Sequence, residues 1–275
     1  MIDSLKRLSY RPEVLKPIQK LGLSRVLRRA YFQVAKPASG ILEIEIAGQR
    51  ARFYARTPEE LRILESAGGA GGEQRVQEAL ANFLKPGDVA LDIGANVGLY
   101  TVLLARAVGA EGLVIACEPS GQNYSHLEEN LKLNGLANVR LFRKALGNSS
   151  GRARLYASSV IGNSSLSGDE NHNAGAEDVE VIEADRLIAS EKLPVPRAVK
   201  IDVEGFEYAV LEGLQATLKS PGCQLVACEV HPGLLPEGVE PGAIAGLLQS
   251  CGFSRIQHHS RWDKTFHVVA TKGGR

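Results

Sequence analysis

Two residue pairs in this chain combine reactive side chains with a usable spacing. "KIDVEGFE" carries Asp202 and Glu204, and "CEVHP" carries Glu229 and His231. Each pair is two residues apart at the end of an apolar run, so both members project to one side while a strand persists. Carboxylates and an imidazole gathered in one cleft can do two kinds of work. His231 or Asp202 could take a proton as a general base, since an imidazole titrates near neutral pH. Alternatively, Asp202, Glu229 and His231 could hold Mg2+ or another hard cation that acidifies an acceptor hydroxyl. Glu204 also reads as a first-turn acid of the helix that "GFEYAV" begins. Lys200 is expected on the sheet rather than in the site.

A third stretch, "VALDIGANVGLY", places Asp92 at the end of an apolar run and then breaks into Gly94, Ala95, Asn96, Val97 and Gly98. Such a turn lets backbone approach a ligand and lets a helix start close against a sheet. Glu118 ends the next apolar run, about 20 residues past the turn, where a ribose-binding acid is expected. The alternative reading of Glu118 is an acid facing the N-terminus of the following helix. A dinucleotide fingerprint would need a glycine at Asn96, and Asp92 would face a phosphate unfavourably. S-adenosylmethionine has an ammonium, a sulfonium and a ribose diol but no phosphate. The residues therefore point toward that cofactor and away from nicotinamide.

These residues need a scaffold that brings strand ends together. From Val89 onward the hydrophobic period alternates: strand 89–93, helix near 97–107, strand 113–118, helix near 121–134, strand near 138–142. After an interruption come strand 198–203, a helix with Phe206, Val210, Leu214 and Leu218 on one stripe, strand 224–230 and a helix near 240–251. Strands near 253–259 and 264–271, antiparallel to each other, close the chain. This order predicts a mostly parallel sheet covered on both faces, with ligands outside the carboxyl ends of the strands. Residues 1–84 read as an N-terminal cap, with helices and a β-hairpin over "ILEIEIAGQRARFYAR" that turns at Gly-Gln. Residues 85–275 then form the main domain. Within it, "ARLYA" and "VEVIEA" flank a Ser-, Asn- and Gly-rich stretch and read as an inserted hairpin near 152–184. Its tip, 158–178, reads as either a lid or a disordered loop.

In this order, "DIGANVGLYT", "ACEPS", "RKALGNSSG", "VKIDVEGFEYAVLEGL" and "CEVHP" resemble the FkbM family of S-adenosylmethionine-dependent methyltransferases, over about residues 73–271. The resemblance implies an α/β, Rossmann-like class I methyltransferase fold, a seven-stranded sheet with its last strand inserted antiparallel. It implies O-methylation of a hydroxyl on a sugar, a glycolipid or another small metabolite. Carried across, Asp92, Gly94, Asn96 and Gly98 would line the methionine end of the cofactor, and Thr101 would add a hydroxyl there. Asp202 would border the same end. Glu118 would hold the ribose, and Ala145, in "KALGN", would meet the adenine through its backbone. Glu73 matches an acid that the family often has before its first strand.

Composition narrows the alternatives. The 275 residues carry a formal net charge of +1, which gives no overall push toward nucleic acid. Residues 1–36 are locally basic, from Lys6 and Arg7 to Lys36, and read as a solvated helical face or an arm for an anionic partner. Cys117, Cys223, Cys228 and Cys251 form no CxxC pair, the pattern of reduced core cysteines in a cytoplasmic protein. No apolar run has the length of a membrane span. The rivals are an NAD(P)-dependent oxidoreductase, weakened by the missing glycine, and a nucleic-acid methyltransferase. "DVEG" in place of a "DPPY"-type motif disfavours methylation of base amino groups.

Overall fold

The alternation expected after Val89 is present in the computed structural model, which describes residues 24–67, 72–157, 164–165, 176–260 and 265–273. Five parallel strands come first: β3 (Val89–Ile93), β4 (Leu113–Cys117), β5 (Val139–Phe142), β10 (Ala198–Ile201) and β11 (Leu225–Val230). With β12 (Arg255–Ser260) and β13 (Phe266–Thr271) they form one sheet in the order β12-β13-β11-β10-β3-β4-β5. The last strand, β13, inserts antiparallel between β11 and β12. This is a class I methyltransferase fold. The order reverses between β3 and β10, which opens a crevice above their carboxyl ends.

Period-two alternation sorts the sheet residues by size. Ala90, Ala116, Ala198, Ala227 and Val269 face one core, while Leu91, Ile93, Ile115, Val199, Ile201 and Val226 face the other. The small residues let helices approach closely. Helix α3 (Gly72–Phe83) and helix α4 (Leu99–Val108) cover that side, with Val76, Leu80, Val102 and Leu103 buried in the same core. By the same alternation Asp92, Lys200, Glu229 and His267 emerge on this face, each two residues from Ala90, Ala198, Ala227 and Val269 respectively.

The N-terminal segment feeds that core too. Helix α1 (Ser24–Ala35) contributes Phe32, and helix α2 (Pro58–Ala67) contributes Leu61 and Leu64. The hairpin β1 (Ile41–Ile46) and β2 (Gln49–Tyr54) contributes Ile46 and Phe53. Its turn is Ala47-Gly48, not Gly-Gln: both have positive φ, the geometry of a two-residue hairpin turn, and Gln49 already pairs with Ile46. Helix α5 (Gly121–Leu133) pins the hairpin edge. Asn130 Oδ1 accepts from Tyr54 N (3.0 Å) while its Nδ2 donates to Val97 O (2.8 Å), which joins hairpin, helix and glycine turn.

The inserted hairpin is β7 (Gly151–Ala157) with β9 (Ala176–Glu183), extended by β6 (Ala145–Gly147) and β8 (Ser164–Ser165). Arg143–Glu177 and Lys144–Glu180 ion pairs hold it to the domain, and Glu177 accepts from Gly121 N at the start of α5. Most of its tip, and Lys6 to Lys20 of the basic stretch, lie outside the described residues. Helix α6 (Ala184–Ser190) leads into β10.

Of the stripe Phe206, Val210, Leu214 and Leu218, the last three are buried as expected, but Phe206 is half-buried ahead of the helix, and two helices joined at Leu214 carry the rest, α7 (Glu207–Gly213) and α8 (Gln215–Lys219). Gly213 packs so closely on β6 that a Cβ there would lie 1.8 Å from Gly147 O. Helix α9 (Gly242–Ser250) completes the covering of that face. Among the described residues no helix is long and apolar enough to cross a membrane, and all four cysteines are free and buried.

The tightest approach in the crevice is at Gly94, whose φ is +76° and whose added Cβ would sit 1.9 Å from Asp202 O. Gly94→Ala must separate the turn from β10. It is expected to lower unfolding free energy by about 2–4 kcal/mol in urea titrations. An unchanged midpoint would show that the two segments are not in contact.

Candidate functional site

The cleft at the carboxyl ends of β3, β4 and β10 is lined by Gly94, Asn96, Glu118, Ala145, Asp202 and Glu204, together with Cys117, Lys144, Leu155 and Phe206. Six residues singled out in the sequence therefore meet in one place. Asp92, Gly98, Thr101 and Glu73 do not line it. Thr101 Oγ1 donates to Asp92 Oδ2 (2.6 Å), so this hydroxyl serves Asp92, whose other oxygen is buried without a hydrogen-bond partner among the described residues. Burial raises the Asp92 pKa.

Glu118 follows β4 directly and turns back under the glycine loop. Its Oε2 accepts from Asn96 N (2.8 Å) and its Oε1 from Ser120 N (2.9 Å). Asn96 holds its N–H in place with φ +51°, a left-handed conformation that asparagine tolerates. Burial pushes the Glu118 pKa up to about 7, against the pull of those two N–H groups. A carboxylate oxygen has two lone-pair directions, so each can still accept a ligand hydroxyl.

Around the second crevice wall the chain gathers charge. β10 ends at Ile201, two residues earlier than its pattern implied, so the same-side rule does not govern Asp202 and Glu204. Glu204 is not in a helical first turn either: α7 begins at Glu207, and Glu204 sits at φ +49°. That turn aims its carboxylate at His231, with Oε2 3.5 Å from Nε2. The rule does hold on β11, where Glu229 Oε1 lies 3.8 Å from the same nitrogen. The buried first-turn acid is Glu207, whose Oε1 is 2.6 Å from His231 Nδ1.

These contacts set the proton affinities. Burial alone would lower the His231 pKa, but the bond to Glu207 and the charges of Asp202 and Glu204 raise it to about 10. His231 is thus an imidazolium at neutral pH, not the neutral base its residue type implied. Burial also lifts Glu204 to about 8, the negative charges of Asp202 and Glu229 adding to the effect. Asp202 goes the other way, to about 2, since Lys200 and His231 outweigh its burial. Lys200 lies on the sheet as expected and also reaches the site: Nζ is 3.1 Å from Asp202 Oδ2 and 4.6 Å from the Tyr100 ring centroid. Burial would lower its pKa, yet Asp202, Asp92 and Glu229 raise it.

Glu73 comes from α3 on the far side of Tyr100, whose hydroxyl donates to Glu73 Oε1 (2.7 Å). Its Oε2 is 3.8 Å from His267 Nε2, which is 3.3 Å from Glu229 Oε2. Two triads, Asp202–Glu229–His231 and Glu73–Glu229–His267, each bring three ligand atoms within 4.8 Å of one another. Glu207, Tyr100 and His267 gave no signal in the sequence beyond a polar residue inside an apolar pattern.

If Glu207 sets the state of His231, then Glu207→Gln should lower the His231 pKa from about 10 by at least about one unit in an NMR titration. No change would assign the shift to Asp202 and Glu204 alone.

Residues 92–255 match the family model of the methyltransferase FkbM domain. Over 196 residues the chain is 31% identical to the hexuronic acid methyltransferase AglP of Haloferax volcanii, covering 71% of this chain and 76% of that protein. Over 143 residues it is 27% identical to methyltransferase 1 of Beauveria bassiana, covering 45% of this chain and 57% of that one. A solved structure, methyltransferase FkbM from Methylobacillus flagellatus KT, is similar with a TM-score of 0.48 and 15% identity, covering 66% of this chain and 43% of that one.

Proposed function

Since the chain belongs to the FkbM methyltransferase family, we propose that it moves a methyl group from S-adenosylmethionine to a hydroxyl of a sugar, glycolipid or similar small molecule. The observation that carries this reading is the single cleft in which Gly94, Asn96, Glu118, Asp202 and Glu204 meet. The sugar class is favoured by the relative's named action on hexuronic acid. A cytoplasmic setting suits the four free, buried cysteines.

The residues fit the cofactor in kind. Glycine at position 94 lets the turn pack onto Asp202 at the cleft wall, and Glu118 offers a buried carboxylate to a ribose diol. Asp92, behind the cleft lining, keeps a buried Oδ1 that has no donor among the described residues. Bound S-adenosylmethionine would supply an electrophilic methyl group on a cationic sulfur. Asp202, kept ionised by Lys200 and His231, would contribute negative charge to the cleft that receives that cation. Glu204 takes the proton of the acceptor hydroxyl, its pKa of about 8 lying near the operating range of a general base. His231 orients Glu204 and is itself held by Glu207. The Asp202–Glu229–His231 triad does not suit a divalent cation, because Lys200 already pairs with Asp202 and would repel one. No step runs through such an ion.

Three measurements follow. Mass spectrometry of purified protein with S-adenosylmethionine and a panel of uronate-bearing and neutral glycans should find one added methyl; binding of NADH in place of S-adenosylhomocysteine would overturn the reading.

Calorimetry should find S-adenosylhomocysteine affinity falling as pH drops through about 7, because the ionised Glu118 carboxylate accepts from the diol more strongly than the protonated carboxyl does. Glu118→Gln should remove that dependence and weaken binding at least about tenfold at higher pH.

The pH profile of kcat/KM should rise as Glu204 ionises toward about 8 and fall as His231 loses its proton near about 10. Glu204→Gln should erase the rising limb and cut kcat by about 10²–10⁴. An intact limb in that variant would move the base elsewhere.

A further inference from the structure

His267 is 1% exposed, and among the described residues neither of its ring nitrogens has a hydrogen-bond partner. Buried polar groups are almost always satisfied, so a bare buried imidazole marks a missing partner. The Nε2 atom faces two carboxylates without the alignment of a hydrogen bond, Glu229 Oε2 at 3.3 Å and Glu73 Oε2 at 3.8 Å. Register explains how it got there: Glu229 and His267 are directly opposed in the β11–β13 ladder, so their side chains share a face. Glu73 reaches them from α3, in the N-terminal segment.

We propose that Glu73, Glu229 and His267 form a binding site for a divalent transition ion of the Mn2+ or Zn2+ type. This site is independent of the methyl-transfer reading. Ligand atoms around such an ion, with bonds of about 2.0–2.2 Å, lie roughly 3–3.5 Å apart. The 3.3 Å spacing already fits, the 3.8 Å spacing needs a small contraction, and the Glu73 and Glu229 oxygens, within 4.8 Å, close around the ion. One imidazole with two carboxylates favours Mn2+ or Zn2+ over Mg2+, which prefers an all-oxygen shell. Tyr100 donates to Glu73 Oε1 and leaves Oε2 to face the imidazole, the kind of outer contact that orients a ligand. In the neighbouring triad Lys200 Nζ sits 3.1 Å from Asp202 Oδ2, a cation paired directly with one of the ligand atoms, and the same ammonium bears on Glu229 through its charge. Glu229 belongs to both triads and faces His231 with its other oxygen. An ion on its Oε2 would therefore also alter the charge felt at the cleft.

The full chain, stripped with EDTA and dialysed, is titrated with MnCl2 and with ZnCl2 by calorimetry, and bound Mn2+ is followed by electron paramagnetic resonance. About one ion per chain is expected. His267→Ala and Glu73→Gln should each weaken binding at least about tenfold, while His231→Ala should stay within about threefold. Circular dichroism checks that each variant is folded. Should His267→Ala fail to fold, Mn2+ broadening of the His267 imidazole resonances in the wild-type chain gives the same answer. Absence of binding, or binding lost with His231 but kept without His267, would overturn the proposal. S-adenosylhomocysteine titration in parallel keeps the two readings apart, since it reports on the Glu118 cleft.

Discussion

Carboxylates at the ends of neighbouring strands repel one another, and burial removes the water that would screen them; Lys200 makes their crowding tolerable here. Its ammonium lies among Asp92, Asp202 and Glu229, under the ring of Tyr100, and its own burial is offset by those same charges. Opposite charges about 4 Å apart attract by about 4 kcal/mol at an effective dielectric constant of 20, against about 1 kcal/mol in water. Removing one partner of such a buried pair typically costs about 3–5 kcal/mol, because the survivor is left uncompensated. The low proton affinity of Asp202 depends on this balance, and the raised proton affinity of His231 depends on Glu207, Asp202 and Glu204.

The balance is set on one face of the sheet. Asp92, Lys200, Glu229 and His267 share that face with small residues, and small residues admit α3 and α4 at close range. The closeness that packs the core therefore also carries Tyr100 and Glu73 into the charged cluster. The N-terminal segment is part of the same core as the glycine turn and supplies one member of the cluster. Its hairpin is tied through Asn130 to Val97.

Two left-handed residues connect scaffold to chemistry. Asn96 turns its N–H onto Glu118, and Glu204 turns its carboxylate onto His231. Residues other than glycine in this conformation are held there by their surroundings. At Gly94 the surroundings are the Asp202 carbonyl, so the turn that borders one side of the cleft is packed against the strand end that borders the other. Shape at the glycine turn and charge around Asp202 are thus mechanically coupled.

Strand and helix positions after Val89 were legible from residue type because hydrophobic period is local, and the glycine turn and Glu118 from spacing along one βαβ unit. Glu229 and His231 were readable as a same-side pair because β11 continues to Val230. Asp202 and Glu204 were not, because β10 stops first and the chain turns. Nothing local marks His267, whose place opposite Glu229 comes from the antiparallel register of a strand that arrives last. Glu207 and Lys200 look like an ordinary helix acid and an ordinary sheet lysine until docking buries the first against His231 and the second against Asp202. Residue order determined the elements and which ends carry acids. Tertiary structure decided which of those acids keep their protons, since proton affinity depends on burial and on charges that are distant in the chain and adjacent in space.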